Sequence, residues 1–252
     1  MIDTHCHIFR HYYENLEEII ENMTNNYIII NGTNDKENKE VLELVKKYDN
    51  VYGTLGIHPD EIDSISENSF TLIEENLNNS KIVGIGEIGL DYYHTKDNKE
   101  KQKQLFIKQI ELAKKYNKTI VVHSRESIND TYEILKEYAK DLKIVLHCYS
   151  GSLEMAYNFI KLGCMFGIGG VLTFKNSDKL KEIVSKLDIG YLLLETDSPF
   201  LTPEPIRKEK NKPYNIIYVA SKIAEIKKMS KEEVLNKTLK NAIYQFDLKK
   251  LI

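Results

Sequence analysis

Residues 1–8 read MIDTHCHI, and this segment places two imidazoles, His5 and His7, on a short apolar run. Side chains alternate along a β-strand, so His5 and His7 would share one face while Cys6 points to the other. A single histidine is most often a hydrogen-bonded core or surface residue. Two on one face at a strand end have the geometry of two ligands to one metal ion. We therefore interpret residues 1–8 as a first strand that supplies half of a metal site.

Seven further short apolar runs follow along the chain. They are YIIINGT (27–33), VYGTLGIHP (51–59), KIVGIGEIGLD (81–91), KTIVVHSR (118–125), LKIVLHCYS (142–150), CMFGIGGVLT (164–173) and YLLLETDSP (191–199). Most are continuously apolar, which is typical of parallel strands covered on both faces. The intervening segments carry apolar residues at helical spacing, and Ser152 and Ser230 stand where they would cap two of these helices.

Eight repeats of strand then helix, with no Gly/Ser-rich linker, predict one (β/α)8 TIM barrel domain over residues 1–252. An open doubly wound sheet is the alternative. Such a sheet would present one clustered binding loop, whereas this chain places polar residues on many strands. The barrel is therefore the favoured fold.

Composition excludes several classes of protein. The chain has a formal net charge of −3, so it is no basic nucleic-acid coat, and any polyanion must meet local positive charge. Its three cysteines contain no CxxC pair, which favours reduced thiols and a cytoplasmic location. We expect no signal peptide, no membrane span and no membrane partner. We also expect a monomer rather than an obligate oligomer.

Side chains that can bind metal or phosphate fall where the predicted strands end. They are His5 and His7 on strand one, His58 on strand three, Glu87 on strand four, His123 on strand five, His147 on strand six and Asp197 on strand eight. The carboxyl ends of barrel strands converge on one mouth, where active sites lie. Glu195 should share a face with Asp197 one layer deeper. It would either orient a ligand or be a buried polar group, and we keep both readings. Cys6 and Cys148 are expected to pack against helices.

Six motifs, in order and with comparable spacing, resemble those of the TatD family of metal-dependent nucleases, which lies within the amidohydrolase-like barrels. They are MIDTHCHI (1–8), GIHP (56–59), GEIGLDYY (86–93), VHSRES (122–127), HCYSGS (147–152) and LLETDSPFLTP (193–203). The resemblance spans essentially the whole chain. It implies an amidohydrolase-like TIM barrel with two divalent metal ions, Mg²⁺ or alternatively Zn²⁺ or Mn²⁺.

Matching motifs imply which residues hold each ion. His5, His7 and Asp197 would hold the first, and His123 and His147 the second. Glu87 would bridge the two ions, and Glu87 and Asp197 would be the catalytic carboxylates, with Asp197 also able to accept the proton of the attacking water. His58 and Arg125 would contact substrate phosphate, since the guanidinium fork suits phosphate oxygens.

The implied activity is a metal-dependent deoxyribonuclease that hydrolyses DNA phosphodiester bonds with a water activated by two metals. The resemblance further implies a 3′-5′ exonuclease on single-stranded DNA, and Tyr92, Tyr93 and Tyr149 are candidates for stacking on unpaired bases. One alternative is a two-metal hydrolase of another ester or amide bond, for example an aminoacyl-tRNA deacylase. A less favoured one is a non-catalytic metal-binding barrel.

Two positions depart from the family pattern. Asp60 stands where many members carry a second histidine after the GIHP motif, and Lys212 stands where an acidic residue often precedes the proline at position 213. Neither change removes a predicted metal ligand. They put substrate contacts at the rim in doubt.

Overall fold

The computed structural model describes residues 1–94 and 97–248. Its strands are β1 (Ile2–Cys6), β2 (Tyr27–Asn31), β3 (Val51–Leu55), β4 (Ile82–Asp91), β5 (Thr119–Arg125), β6 (Ile144–Leu146), β7 (Cys164–Ile168) and β8 (Leu192–Leu194). Its α-helices are α1 (Leu16–Glu21), α2 (Asp35–Lys47), α3 (Glu67–Asn76), α4 (Lys99–Tyr116), α5 (Ile128–Tyr138), α6 (Leu153–Lys161), α7 (Asp178–Lys186), α8 (Ile216–Lys227) and α9 (Lys231–Gln245).

The strands form one parallel sheet in the order β1 to β8, each followed by helical chain that returns to the next strand. The first and last strands meet at a seam near the mouth. There the Asp197 amide donates to the His5 carbonyl at 2.9 Å, and the His7 amide to the Ser198 carbonyl at 2.7 Å. The sheet is thus a nearly closed barrel, and the predicted (β/α)8 fold is confirmed. The single-domain assignment for residues 1–252 stays a prediction, and residues 249–252 lie outside the described chain.

Two apolar clusters hold the barrel together. The larger lies between the strands and the surrounding helices and includes Cys6 and Phe106, both without exposed surface. The smaller fills the barrel interior at the end opposite the mouth, where Ile29 and Val121 pack against Phe246. Because the apolar residues occupy this lower end, the polar residues of the strands are left at the mouth.

The predicted helix starts are also present. The Ser152 hydroxyl accepts from the Met155 amide and begins α6. Ser230 and Glu233 form the reciprocal capping box that begins α9. Among the described residues no helix combines the length and apolar character that a membrane crossing requires.

The strand ends differ from the sequence prediction. β4 continues to Asp91 because it stays paired with β5 up to the Asp91–Arg125 register, so Glu87 lies inside the strand. His123 likewise lies within β5. The residues that follow their strands instead of ending them, on the segments that leave the strands at the mouth, are His7 after β1, His58 after β3, His147 after β6 and Asp197 after β8.

Candidate metal centre

The first ligand cluster comprises His5, His7, Glu87 and Asp197. The Nε2 atoms of His5 and His7 stand 3.1 Å apart, and each lies 3.3 Å from Oε2 of Glu87. Oδ1 of Asp197 is 3.8 Å from His5 Nε2 and 3.5 Å from His7 Nε2. Atoms bonded to one ion at about 2.1 Å stand roughly 3.0–3.5 Å apart. His5, His7 and Glu87 therefore have the spacing of ligands to a single ion, and Asp197 lies beside them at a slightly longer distance.

The second ligand cluster comprises Glu87, His123 and His147. Oε1 of Glu87 lies 2.9 Å from His123 Nδ1 and 2.8 Å from His147 Nε2, and these two nitrogens are 3.2 Å apart. Glu87 thus presents one carboxylate oxygen to each cluster. A carboxylate in this position can bridge two cations.

Hydrogen bonds on the far side of two imidazoles fix which nitrogen faces each cluster. Nδ1 of His7 lies 2.9 Å from the carbonyl oxygen of Asn31, which can only accept, so Nδ1 carries a proton and Nε2 faces the first cluster. Nε2 of His123 lies 3.0 Å from Oδ2 of Asp91, which holds the ring with Nδ1 facing Glu87. Carbonyl and carboxylate partners of this kind typically orient metal-bound imidazoles. The donor set therefore fits divalent cations.

Glu195 lies beneath the second cluster. One of its oxygens accepts from the Cys148 amide at 2.6 Å and is 3.9 Å from Nδ1 of His147. Nδ1 of His147 and the other Glu195 oxygen, Oε2, are both buried without a hydrogen-bond partner among the described residues. Burial raises the pKa of Glu195 to about 7. Glu195 is therefore a buried polar group beside the predicted ligand His147. This position agrees with both interpretations from the sequence, a residue that orients a ligand and a buried polar group.

The two predicted catalytic carboxylates are held ionised. Burial by itself would raise the pKa of Glu87, but the charges of His147 and His5 and the hydrogen bond from His123 lower it well below its usual range. For Asp197, burial acts in the same upward direction, and the hydrogen bond with His7 together with the imidazole charges brings the pKa below its usual value. Both groups are thus charged ligands at neutral pH.

A buried carboxylate that sequence reasoning missed supports this site from below. Asp3 has no exposed surface and accepts from the His5 amide at 3.2 Å. It also accepts from the amide and hydroxyl of Thr196, at 3.0 and 2.5 Å. Asp3 therefore ties the strand that carries two predicted ligands to the segment that carries Asp197. The sequence feature that could have identified Asp3 is its position two residues before His5, on the same strand face.

A second missed residue is Asp91, the partner of His123 described above. Its signal in the sequence was weaker, because β4 pairs Asp91 with Arg125 and only the side-chain contact shows that Asp91 reaches His123. Asp91 also accepts from the amides of Tyr93 and His94 through Oδ1, at 2.8 and 2.9 Å. It thus shapes the loop after β4 as well as orienting His123.

The ligand clusters open into a cavity of about 660 Å³ at the mouth of the barrel. His58 and Arg125 both line this cavity, as do most of the predicted ligands. Nδ1 of His58 accepts from the Asp60 amide at 3.2 Å, so the ring proton is on Nε2, which points toward Oε1 of Glu87 at 3.7 Å. Burial and the charge of His123 lower the pKa of His58 to about 3, so its ring is neutral.

Arg125 is exposed and lies over the ring of Tyr93, with Cζ 4.0 Å from the ring centroid. Asp60 lines the cavity, whereas Lys212 begins a 3₁₀ turn at Pro213–Asn215 and is not among the residues that line it. Of the two departures from the family pattern, only Asp60 is thus in reach of a substrate.

Two sequence predictions about the mouth are wrong, and a third is incomplete. Tyr92 and Tyr149 are 6% and 4% exposed, and their hydroxyls donate to Asp130 and to the Ser152 carbonyl, so neither ring can stack on a base. Cys148, which has a left-handed backbone with φ 44°, lines the cavity at the mouth as well as a smaller one beside Leu180 and Ile183 of α7. Tyr93, by contrast, is 53% exposed. Cys6 packs in the strand–helix cluster as expected.

The arrangement of ligands, fold and supporting residues can be compared with known proteins. The family model described as TatD related DNase matches residues 2–247. The uncharacterized metal-dependent hydrolase YabD of Bacillus subtilis (strain 168) is 38% identical over 247 residues, which cover 96% of this chain and 97% of YabD. The chain belongs to the TatD family.

Solved structures agree with this assignment. The TatD homologue YjjV from Escherichia coli K12 is 30% identical, has a TM-score of 0.91 and covers 98% of each chain. An amidohydrolase from Saccharomyces cerevisiae, at 18% identity, a TM-score of 0.81 and coverage of 97% of this chain and 99% of the yeast chain, shares the fold. The chain is therefore a TatD-type metal-dependent hydrolase with an amidohydrolase-like barrel, as the sequence motifs predicted.

Proposed function

We propose that this TatD protein is a deoxyribonuclease that hydrolyses DNA phosphodiester bonds with two divalent ions, Mg²⁺ or alternatively Zn²⁺ or Mn²⁺. The observation that carries the proposal is Glu87, whose two carboxylate oxygens face two separate nitrogen clusters. We further propose 3′-5′ exonuclease action on single strands, which follows from the family resemblance and from no geometric feature of the site.

The residues present suit an attack on phosphorus. Two bound divalent ions supply Lewis acidity that lowers the pKa of water and neutralises charge on phosphate oxygens. Asp197 is ionised and lines the cavity, so its carboxylate can accept the proton of the attacking water. Neutral His58 presents Nε2–H toward the centre and can donate to a phosphate or leaving-group oxygen. Arg125 can bind a second phosphate oxygen from the rim.

Single-stranded DNA is the proposed preferred substrate. The net charge of −3 offers little field to hold or melt a duplex. The predicted ligands lie at most 8% exposed, apart from the half-buried His123 and Asp197, so the reacting phosphate must enter the cavity instead of lying across a flat surface. An unpaired strand can bend into such a mouth more readily than a paired one.

A second candidate function has one specific observation in its favour. The wall of the cavity also carries the carboxylates Glu37, Asp60 and Glu61. An acidic wall repels a continuing phosphate backbone and suits a cationic group, such as the free amine of an aminoacyl ester. Hydrolysis of an ester or amide bond, for example in an aminoacyl-tRNA, is therefore the alternative to test beside DNA.

One experiment separates these functions. Metal-reconstituted protein is incubated with end-labelled single-stranded DNA, blunt duplex DNA, RNA and an aminoacyl-tRNA, with Glu87→Gln as the control for contaminating enzymes. We expect faster cleavage of single-stranded than of duplex DNA, with loss of nucleotides from the 3′ end. Equal rates on the two DNAs would contradict the strand preference. Turnover of the aminoacyl ester without DNA cleavage would contradict the nuclease.

A further inference from the structure

Phe200 is an exposed aromatic residue at the mouth to which no role has yet been given. It is 48% exposed and lines the same cavity as the predicted ligands, on the side of the first ligand cluster. Its ring centroid is 6.4 Å from that of His7. Single exposed apolar side chains are common on protein surfaces, but Phe200 is exposed inside the cavity that the predicted ligands line.

The turn that carries Phe200 is fixed in place. Leu201, a bulky residue, adopts a left-handed backbone with φ 49°. The buried Asn211 side chain donates to the carbonyls of Thr196 and Phe200, at 2.9 and 2.7 Å. The Leu201 carbonyl lies so close to Gly170 that a Cβ there would stand 2.0 Å from the oxygen. Phe200 is therefore held out in the cavity by a rigid turn.

The surroundings of Phe200 suit a nucleic acid more than a protein partner. Tyr12 meets its ring edge to face, with centroids 5.6 Å apart at 79°. The Lys210 ammonium donates to the Tyr12 carbonyl at 2.5 Å, which places a positive charge beside the aromatic pair. An exposed ring next to a cation is the combination by which proteins bind unpaired strands.

We propose that Phe200 is a stacking platform for the base of a nucleotide next to the scissile phosphate. This inference rests on the proposed nuclease function and adds how the substrate is held. Phe200 and Arg125 line the same cavity around the predicted ligands, so a strand with one base on Phe200 can reach Arg125 with a phosphate. Stacking on a ring is sequence-tolerant, because every base has a π-face.

The test combines removal of the ring with removal of the base. Phe200→Ala, Phe200→Leu and Phe200→Tyr are compared with wild type on single-stranded oligonucleotides that carry one abasic position, moved stepwise along the strand. Binding is measured by fluorescence anisotropy in EDTA, which prevents turnover, and KM and kcat are measured with metal. Tyr157→Ala is the matched control, since Tyr157 is 45% exposed on α6 and is not among the cavity-lining residues.

Stacking contributes about 1–3 kcal/mol per base, so we expect Phe200→Ala and Phe200→Leu to weaken binding roughly 5- to 140-fold. Phe200→Tyr should retain wild-type binding. The loss should disappear on the oligonucleotide whose abasic site removes the stacked base, because the two deletions then remove the same interaction.

Three results would overturn the platform while leaving the nuclease intact. These are unchanged binding in Phe200→Ala, an equal loss on every abasic oligonucleotide, and an equal loss in Tyr157→Ala. Phe200→Leu keeps an apolar side chain on the turn, so it can be compared with wild type if the alanine variant does not fold. Wild-type protein that neither binds nor cleaves any DNA would instead refute the nuclease proposal, and the platform with it.

Discussion

At the scale of single residues, a substitution of Asp197 distinguishes most clearly between a catalytic and a structural role. Its backbone is left-handed with φ 54°, a conformation that asparagine tolerates as well as aspartate does. Its side chain does not cap the following turn, since the Ser198 amide donates to the Thr196 hydroxyl. An Asn substitution therefore changes the ligand and proton acceptor with little effect on the backbone.

We predict that Asp197→Asn leaves melting in EDTA unchanged and lowers kcat by a factor of about 10²–10⁴ or more, since asparagine cannot take the proton and is a poorer ligand. The measurement is turnover at saturating metal together with thermal unfolding. Asp188→Asn is the matched control, because the exposed Asp188 accepts from the Gly190 amide and lies away from the mouth. Wild-type turnover in the Asp197 variant would exclude the catalytic role.

Asp91 is predicted to tune the second ligand cluster through His123. In Asp91→Asn the amide oxygen can keep the bonds from Tyr93 and His94, but an NH₂ group then faces Nε2–H of His123. We expect one metal site to weaken by about 10- to 100-fold. Calorimetric titration of metal-free protein with Mn²⁺ provides the measurement.

Asp130→Asn serves as the comparison for Asp91, because Asp130 pairs with Tyr92 and Lys103 on the outer surface. If both variants bound both ions as tightly as wild type, His123 would not depend on Asp91 for its orientation.

Asp91 and the tyrosines show where residue-level reading of the sequence stops. Strand alternation was enough to place His5 and His7 on one face. Whether Tyr92 or Tyr93 faces the mouth depends on the loop after β4, where Asp91 accepts from two successive amides and turns Tyr93 outward. Such a side-chain hydrogen bond to the following backbone has no periodic pattern in the sequence.

At the scale of elements, β7 carries no predicted ligand, but its Gly167 leaves room for the side chain of Glu195. A Cβ at Gly167 would lie 1.9 Å from Oε2, 2.5 Å from the carboxyl carbon and 2.8 Å from Oε1 of Glu195. Glu195 has no exposed surface and holds the Cys148 amide, so its carboxylate has little room to move. The glycine therefore provides the space that Glu195 occupies.

We predict that Gly167→Ala lowers the free energy of unfolding by about 1–3 kcal/mol, the usual cost of adding a methyl group to a filled interior. Denaturant unfolding measures it. Gly169→Ala on the same segment is the control, since its Cβ would meet Glu195 and Cys148 only at ordinary contact distances of 3.7–3.8 Å. Identical unfolding midpoints for the two variants would show that Glu195 is free to rearrange.

The strands and helices could largely be predicted from the sequence, but the residues at which they end could not. Continuous apolar runs located each strand, and Ser152 and Ser230 located two helix starts by local hydrogen bonding that sequence encodes directly. The length of β4 depends instead on pairing with β5, a tertiary interaction. That is why Glu87 was placed at a strand end and lies within the strand.

At the scale of the whole molecule, the ligand clusters concentrate charge inside the barrel, and bound cations should stabilise the fold. A ligand at 100 times its dissociation constant adds about 2.7 kcal/mol to the unfolding free energy. For a chain of this size that corresponds to a rise in Tm of roughly 5–10 °C. We predict this rise when Mg²⁺ or Mn²⁺ is added to EDTA-treated protein, measured by scanning calorimetry.

Glu87→Gln should lose most of the metal-dependent rise in Tm, because it replaces the one carboxylate shared by both clusters with a neutral amide. Arg125→Gln, a substitution at the cavity rim outside both clusters, should retain it. A Tm that is the same with EDTA and with excess metal would argue against ligation by these residues.

The seam between β1 and β8 determines how late in synthesis the predicted ligands can come together. Thr4 donates to the carbonyl of Leu194 across a sequence separation of 190 residues, and Asp197 meets His5 at the same place. A ribosome therefore releases the first two histidines long before the aspartate they are to join. The nascent polypeptide thus carries an unfinished cluster of predicted ligands until β8 has been made and has docked beside β1.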